Sequence, residues 1–462
     1  MSNDLRENLL EIVGKEHILN DSKRVEDYLE DESPEGSRVE PASDVLVVKP
    51  ANAEEVSEVI RLSNEYESSV FVQGGATGLV GGSVPTKSGL VLSMERLNHL
   101  EIDRDNLTAT VGAGVTLKEL IETARENGLF FPLHPGDEDA QVGGLVACNA
   151  GGSRAVKTGV MRNYVRGLEV VLPPGEMLNI GGKLIKDNAD ADKLMNFFVG
   201  TEGIFGVITE AVLKILPSEG ATATLVAPFE DKFGALDAIP EILRSGVVPQ
   251  GLEYVERRTI EGATRELGVS WPAEVGEAYL LLMFSEFDET TLFAGMEKVS
   301  EILDEFGSLD PLLAELSDEE SKILRIRSEL YPFLKPNLYE DLDVCVPISE
   351  LSDFLLEIDK ISEKYDTYLH PYGHGGDGNI HIHVMKQEGW SKEDYESIVK
   401  QIYKAGVELG GTISGEHGIG ESKKKFLKYS MGSDSVHTIK RLKRTFDPKN
   451  ILNPGKLIDF SD

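Results

Sequence analysis

The segment Gln73-Gly-Gly-Ala-Thr-Gly-Leu-Val-Gly-Gly82 decides how this chain is read, with five glycines in ten residues directly after the β-rich run Ser69–Val72. Glycine reaches backbone angles closed to other residues, so successive N–H groups can turn toward one point and make a nest for phosphate. Two familiar nucleotide loops fail the test. No Gly-x-x-x-x-Gly-Lys-Ser/Thr pattern occurs in the chain, which removes P-loop chemistry. A Gly-x-Gly-x-x-Gly pattern at Gly373, Gly375 and Gly378 runs into the strand-like Asn379–Val384, whereas a Rossmann fingerprint opens a helix. The plain alternative for 73–82 is a tight structural turn.

Two further small-residue segments speak against a mere turn. Gly143-Gly-Leu-Val-Ala-Cys-Asn-Ala-Gly-Gly152 reads as a loop that a flat ring could approach closely, and Gly200-Thr-Glu-Gly203 precedes Phe205-Gly-Val-Ile208 and a strand. The 46 glycines are about one residue in ten, against an average near ~7%. They crowd beside β-rich runs, which places them at strand–loop junctions.

Around these loops the pattern predicts a mixed N-terminal unit. Leu5, Leu9, Ile12 and Val13 sit at helical spacing. Asn52 with Glu55, and Thr116 with Glu119, read as capping boxes for helices to Tyr66 and Asn127. Val45–Lys49, Ser69–Val72, Leu90–Leu92, Thr108–Val111, Leu168–Leu172 and Ile208–Ile215 read as strands. Pro217 marks a boundary. Beyond it, strand-like Thr222–Val226, Tyr279–Phe284, Val344–Pro347 and Ile380–Met385 alternate with helices near 232–245, 288–306 and 350–365. That pattern predicts an antiparallel sheet with helices on one face.

Composition narrows the function. Asp and Glu number 80 and Lys and Arg 46, a formal charge of −34 over 462 residues. Such a surface repels nucleic acid and anionic lipid. No apolar run approaches the ~18 residues of a membrane span, and the N-terminus shows no apolar signal core. Two cysteines, Cys148 and Cys345, exclude a disulfide scaffold, a Cys-rich zinc module and a self-contained iron–sulfur cluster.

Five of the nine histidines (His370, His374, His381, His383 and His417) fall between residues 370 and 417. In Ile380-His-Ile-His-Val384 the histidines alternate with apolar residues, so His381 and His383 share one strand face. Glu416-His417 is bracketed by Gly415 and Gly418. Both can face one pocket only if those glycines bend the chain. Two histidines and a carboxylate are the donor set of an open divalent site, zinc above all.

The order of these motifs resembles the FAD-linked oxidase superfamily, whose flavin domain is of the vanillyl-alcohol oxidase or p-cresol methylhydroxylase (PCMH) type. Within it, the likeness is to the glycolate oxidase D-subunit, D-lactate dehydrogenase and D-2-hydroxyglutarate dehydrogenase group. It covers nearly the whole chain: the 73–82 loop, His134-Pro-Gly-Asp137, the 143–152 segment, Gly200–Thr209, Gly373–His381, Ser414–Gly420 and Phe446–Lys456.

The resemblance implies an α+β chain. A two-part FAD-binding domain over 1–217 precedes a ferredoxin-like antiparallel-sheet substrate (cap) domain over 218–415, and a helical segment over 416–462 returns to the FAD domain. It implies that Gly74, Gly75, Ala76, Thr77, Gly78, Gly81 and Gly82 hold the pyrophosphate of FAD. Pro135 and Gly136 would also bind the cofactor, and Gly143, Gly144, Asn149, Gly151 and Gly152 would lie along its ribityl and flavin. Glu202, Gly203 and Ile208 would take the adenine side, and Asn453 the chain's return. It implies His374, His381 and Glu416 as ligands of Zn2+ or another divalent metal, His417 as catalytic base and Arg327 as the grip on a substrate carboxylate. Arg325 is the neighbour that could be confused with Arg327, His383 suits a supporting place, and Asp377 and Asn379 could orient ligands or substrate.

The implied activity is oxidation of a small D-2-hydroxy acid to the 2-oxo acid, with hydride passing to flavin N5 and the alcohol activated by the metal and a histidine base. The chain departs from the family in two places. Gln73-Gly-Gly-Ala-Thr77 stands where Arg-Gly-Gly-Gly-Thr is common, and no histidine occurs in this loop for covalent attachment, so non-covalent FAD is expected. Glu340 and Asp341 stand where hydroxyglutarate-type enzymes carry a lysine. Two carboxylates should repel a second substrate carboxylate, which favours D-lactate or glycolate, with D-2-hydroxyglutarate as the alternative. A zinc hydrolase would have no use for three FAD-type loops in order. An electron-relay flavoprotein would have none for the histidine–carboxylate set.

Reduced flavin must pass its electrons to a separate, non-oxygen acceptor: electron-transferring flavoprotein, an iron–sulfur subunit, a quinone or a cytochrome. A cytoplasmic protein is expected, free or held at the inner face of the membrane through a partner, and a homodimer is an allowed assembly. Between Lys423 and Arg444 lie eight basic residues and one acidic, Asp434. The plain reading is a solvated helix face; the sharper one is a strip that attracts an anion or acidic partner to the site's mouth.

Overall fold

The computed structural model describes residues 3–189, 191–218, 220–314 and 317–460. Among them, three sheets position the site. The first has strands in the order Ile18–Leu19, Val45–Val48, Gly89–Ser93, Ser69–Gln73. Its last three strands run parallel, with Val45 and Ser69 both opposite Gly89. All five residues of Gly89–Ser93 are buried, as a central parallel strand requires. The helices Asn3–Val13 and Ala53–Glu65 cover it through Leu5, Leu9, Val56 and Ile60. Asn52 caps the second helix at Glu55 N–H, but the Glu55 carboxylate reaches Ala51 N–H at 2.7 Å, one residue short of the reciprocal bond expected. Thr116 and Glu119 form the full capping box on Leu117–Glu126.

The second sheet is antiparallel, in the order Leu100–Asp103, Thr108–Gly112, Val207–Lys214, Val165–Leu172, Glu176–Gly181. The small-residue segment beside it departs from expectation. Its first part is a short helix, Val142–Cys148, and not a loop. Glycine is a poor helix residue, but a side chain at Gly143 would press on Ala113 Cβ at 2.7 Å. Close packing against the sheet therefore demands glycine there.

The third sheet has seven antiparallel strands, in the order Leu312–Ala314, Ala221–Phe229, Ala278–Glu286, Gly251–Glu256, His370–His374, Asn379–Met385, Leu338–Cys345. Alternation along the strands splits it into two faces. Leu225, Leu280, Leu282, Leu342, Val344, Ile380 and Ile382 point to one face, under Lys232–Arg244, Glu289–Glu305, Leu351–Lys364 and Lys392–Glu408. Each large apolar side chain buried there contributes about 1.5–3 kcal/mol. Helices cover part of the opposite face too, contrary to the one-face expectation. Arg257–Leu267, Ser317–Ser328 and Leu330–Leu334 pack there on Val226, Val255, Tyr279 and Leu281. On the four strands from Gly251–Glu256 to Leu338–Cys345, that same face presents Glu253, Tyr372, His374, His381, His383, Asp341 and Asp343. This polar half-face is what the fold brings to the site.

The chain's end rejoins the first sheet. Val70 N–H donates to Ile451 O (2.7 Å), Asn453 N–H to Val70 O (2.8 Å) and Val72 N–H to Asn453 Oδ1 (2.9 Å). Lys443, buried, donates to Ile204 O, Leu452 O and Asp447 Oδ2 at 2.6–2.8 Å, tying this return to the 200–206 segment.

Candidate active site

A cavity of about 1060 Å³ lies between the glycine-rich segments and the polar half-face of the seven-stranded sheet. Gly74, Gly75, Ala76, Thr77, Gly78 and Gly82 form one wall, and Pro135, Gly136, Gly143, Gly144, Gly151, Gly152, Glu202, Gly203, Ile208 and Asn453 extend it. At Gly82, Gly136 and Gly144 an added Cβ would meet nothing within 4 Å and would project into open space. At Gly75 it would press on Asp139 O at 2.7 Å. A wall of bare backbone, into whose facing space side chains at three of its glycines would project, fits a long phosphate-bearing cofactor such as FAD.

Two expected wall residues stand behind it. Gly81 donates its N–H to Ser33 Oγ (3.0 Å), and its carbonyl accepts from the buried Lys456 (2.6 Å). Asn149 ends the short helix in the left-handed conformation (φ 54°) and accepts from Arg162 N–H (3.0 Å). Gln73, where relatives often have arginine, is buried and donates to Tyr28 O (3.1 Å). Cys148 is exposed to the cavity, where the crowding of surrounding protein and Glu202 push its thiol up. A thiol held protonated is a poor nucleophile.

Opposite this wall, Glu416 Oε1 lies 3.2 Å from His374 Nε2 and 3.4 Å from His381 Nε2. Each imidazole is held from behind by a buried carboxylate. His374 Nδ1 is 2.6 Å from Glu253 Oε1, and His381 Nδ1 is 3.7 Å from Asp341 Oδ1. Burial alone would lower both histidines; Glu253 and Glu416 outweigh it to lift His374, and Asp341 and Glu416 lift His381 to about 9. Burial would raise Glu416, but the two histidines hold it well below the carboxylate range. Three carboxylates around two imidazoles demand positive charge, which two protons or one divalent cation can supply. The donor atoms of His374, His381 and Glu416 lie within 4.8 Å of one another, and so do those of Asp341, His381 and His417. The residues therefore fit a divalent ion.

The turn that carries Glu416 and His417 is organised by Asp343. Its Oδ2 accepts the N–H of Glu416 (2.9 Å), the N–H of His417 (2.8 Å) and the Ser414 hydroxyl (3.1 Å). Its Oδ1 takes the ammonium of the buried Lys423 and lies 3.7 Å from His417 Nδ1. Gly415 lies so close to Asn379 that an added Cβ would sit 2.5 Å from its amide nitrogen, and Gly418 has φ +85°. Glu202 closes the far side by accepting the N–H groups of Ile419 and Gly420, each at 2.8 Å. Burial lowers the pKa of His417, more than Asp343 and Asp341 raise it. A neutral imidazole beside the cavity can accept a proton.

Arg327 also lines the cavity. Its Nε donates to Glu253 Oε2 (2.6 Å), its Nη2 pairs with the same oxygen, and its guanidinium lies 5.0 Å from the Tyr372 ring centroid. Arg325 lines the cavity too, but is exposed.

Other expected residues stand back. His383 stacks on Tyr372 (4.5 Å, 5°), bonds through Nδ1 to His370 O (2.9 Å) and does not reach the cavity. Asn379 donates to Val344 O (3.2 Å), and Asp377 accepts Asn379 N–H (3.1 Å), so both brace the turn. Glu340 lies outside the cavity, where Ser37 donates to it. Asp341 lines the cavity but faces His381 and His383. The basic strip divides on folding, with Lys425, Lys428, Arg441 and Arg444 left exposed. Lys423 and Lys443 are buried structural ties, Lys424 pairs with Glu421 and Asp459, and none of the eight lines the cavity.

Glu253, Asp343 and Lys423 were not singled out as site residues by sequence. The available signal was the register Asp341 opposite His383 and Asp343 opposite His381: acidic residues alternating on a strand that faces alternating histidines.

Comparison with known proteins finds relatives along nearly the whole chain. Residues 45–181 match the family described as FAD binding domain, and residues 219–457 match FAD linked oxidases, C-terminal domain. The chain is 41% identical to a D-lactate dehydrogenase of Archaeoglobus fulgidus over 93% of this chain and 95% of that one. It is 33% identical to the glycolate oxidase subunit GlcD of Bacillus subtilis over 99% and 97%. Among solved structures, p-cresol methylhydroxylase with substrate bound superposes with a TM-score of 0.80 at 17% identity, over 100% of this chain and 97% of that one, a likeness of fold.

Proposed function

The chain belongs to the FAD-linked oxidases and is an FAD-using oxidoreductase, and on that premise we propose that it oxidises a small D-2-hydroxy acid, D-lactate or glycolate, to the 2-oxo acid. The observation that carries this reading is the convergence of His374 Nε2 and His381 Nε2 on Glu416 Oε1, at 3.2 and 3.4 Å, across a cavity from the glycine wall. Gly151 marks how close the two sides come: a Cβ there would sit 2.9 Å from Glu416 Oε2.

FAD, held without a covalent bond by the residues of the glycine wall, supplies the hydride acceptor. A divalent ion held by His374, His381 and Glu416, Zn2+ in first place, supplies the positive charge that makes the substrate hydroxyl more acidic. Arg327 binds the substrate carboxylate through the part of its fork that Glu253 leaves free. His417 takes the hydroxyl proton. Its Nδ1 lies 3.7 Å from Asp343 Oδ1, beyond hydrogen-bond distance. Glu202 and Asp343 hold the 414–420 turn so that His417 stays aimed into the cavity. The N-terminal residues, the seven-stranded sheet and the C-terminal return act as the flavin, substrate and closing parts.

The identity of the 41% relative supports D-lactate. The charge argument against a dicarboxylate now rests on Asp341 alone, since Glu340 is turned away to Ser37. D-2-hydroxyglutarate is the alternative, with exposed Arg325 as the cation at hand for a second carboxylate. Electrons then leave to a separate acceptor. Steady-state kinetics of the FAD-loaded protein with D-lactate, glycolate and D-2-hydroxyglutarate test the assignment: the account expects the highest kcat/KM for one of the first two.

A further inference from the structure

We propose that Glu253 is a positioning residue that ties the two halves of the site together: one buried carboxylate sets both the metal-side histidine and the substrate-side arginine. The inference rests on the functional reading above and adds to it a residue that reading leaves without a role.

Glu253 sits in the middle of the seven-stranded sheet, on Gly251–Glu256, between Ala278–Glu286 and His370–His374. Its side chain is 0% exposed. Across the sheet its register partner is Leu281, which offers nothing polar. A carboxylate there is costly unless it is paired and hydrogen-bonded. Both oxygens are used. Oε1 is 2.6 Å from His374 Nδ1, and Oε2 accepts Arg327 Nε at 2.6 Å together with Nη2. Neither partner ends at Glu253. Each touches it with one edge and also lines the cavity, where His374 Nε2 lies 3.2 Å from Glu416 Oε1.

Two consequences follow from this bridge. A carboxylate at Nδ1 keeps the proton on that nitrogen and leaves the Nε2 lone pair for a cation. A carboxylate on the Nε edge of the guanidinium fixes the plane in which the remaining donors lie. The other histidine, His381, has its carboxylate at 3.7 Å, so the tight member of the pair is Glu253. An amide cannot replace it. Glutamine offers one acceptor oxygen and one NH2, while both neighbours present N–H donors.

The test uses the FAD-loaded protein stripped of metal, titrated with Zn2+ against a competing chelator, and titrated separately with propionate, a carboxylate without a hydroxyl, followed by the flavin spectrum. Glu253→Gln should keep its flavin, bind Zn2+ about 10–100-fold more weakly and bind propionate more weakly as well. Glu253→Asp keeps the charge one methylene short, and should recover part of both losses. Losses in melting temperature alone, with Zn2+ and propionate binding of the folded protein unchanged, would overturn the proposal. If Glu253→Gln does not fold, the decision passes to Glu253→Asp, where wild-type affinity for both probes overturns it and joint weakening supports it. A parent protein that binds no divalent cation overturns the metal reading and this inference together; parent-like binding in Glu253→Gln overturns the inference alone.

Discussion

The backbone N–H of His417 donates to Asp343 Oδ2 at 2.8 Å, and the N–H of Glu416 donates to the same oxygen at 2.9 Å. One carboxylate thereby turns two adjacent residues toward one cavity, which a regular strand would forbid. Asp343 also neutralises Lys423, and both are buried. Asp343→Ala leaves that ammonium unpaired, and breaking a buried pair costs about 3–5 kcal/mol. Chemical denaturation should show a loss of that order, with kcat reduced in the fraction that folds. A variant as stable and as active as the parent would contradict the role given to the turn.

Glu416→Gln keeps the size of the side chain and removes its charge from between His374 and His381. Even outer partners of a metal ligand are worth about 10–100-fold, so activity should fall by at least about 100-fold. FAD content, read from the visible spectrum, should stay at the parent level. Metal removal by a chelator should lower the parent's activity, Zn2+ should restore it, and the variant should gain nothing from added ion.

His417→Gln removes the proton acceptor and leaves the cavity shape. General-base contributions are typically about 10²–10⁴-fold. The loss should fall on kcat, with KM for the hydroxy acid changed much less. A loss confined to KM would move His417 from proton transfer to binding.

How much of this was legible in sequence depended on how far apart the cooperating residues lie. The capping box of Thr116 and Glu119 is a three-residue pattern and is present as read. His381 and His383 share a face because alternation alone dictates it. The helix within 143–152 is not legible in sequence, because glycine argues against helix and only the fold brings Ala113 to 2.7 Å from a Cβ at Gly143. The strand Leu338–Cys345 begins well before Val344, where the apolar pattern starts, and its first part is hidden because Glu340, Asp341 and Asp343 look like exposed residues in sequence. They are buried, two of them against histidines brought by another strand. Glu253 gave no signal, since its partners lie 74 and 121 residues away.

Glu340 gives a pH-dependent stability. Burial lifts it from near 4.5 to about 7, against the opposing Ser37 bond and Lys423. Between those values the folded chain keeps a proton that the unfolded chain has released. Stability from this group is therefore highest at low pH and is lost as pH rises from about 4.5 to 7. The loss is about 3 kcal/mol, at about 1.4 kcal/mol per unit. Glu340→Gln should melt higher than the parent at pH 8 and alongside it near pH 4.5. Equal melting temperatures at both pH values would contradict the burial of an ionisable Glu340.

Gly144 separates folding from cofactor binding. It lies inside the helix Val142–Cys148, with nothing within 4 Å of an added Cβ. Gly144→Ala should stabilise the cofactor-free protein by about 0.5–1 kcal/mol, seen as a higher melting temperature. Its methyl group enters the cavity, so FAD titration should show weaker binding than in the parent.

The central claim is that this FAD-linked oxidase takes hydride from a small D-2-hydroxy acid. Anaerobic mixing of the FAD-loaded protein with D-lactate, glycolate or D-2-hydroxyglutarate, followed by flavin absorbance, tests it most directly. The account predicts that the visible flavin band bleaches with D-lactate or glycolate, with one 2-oxo acid released per flavin. A flavin that stays oxidised with both, while D-2-hydroxyglutarate or none of the three reduces it, would contradict the account.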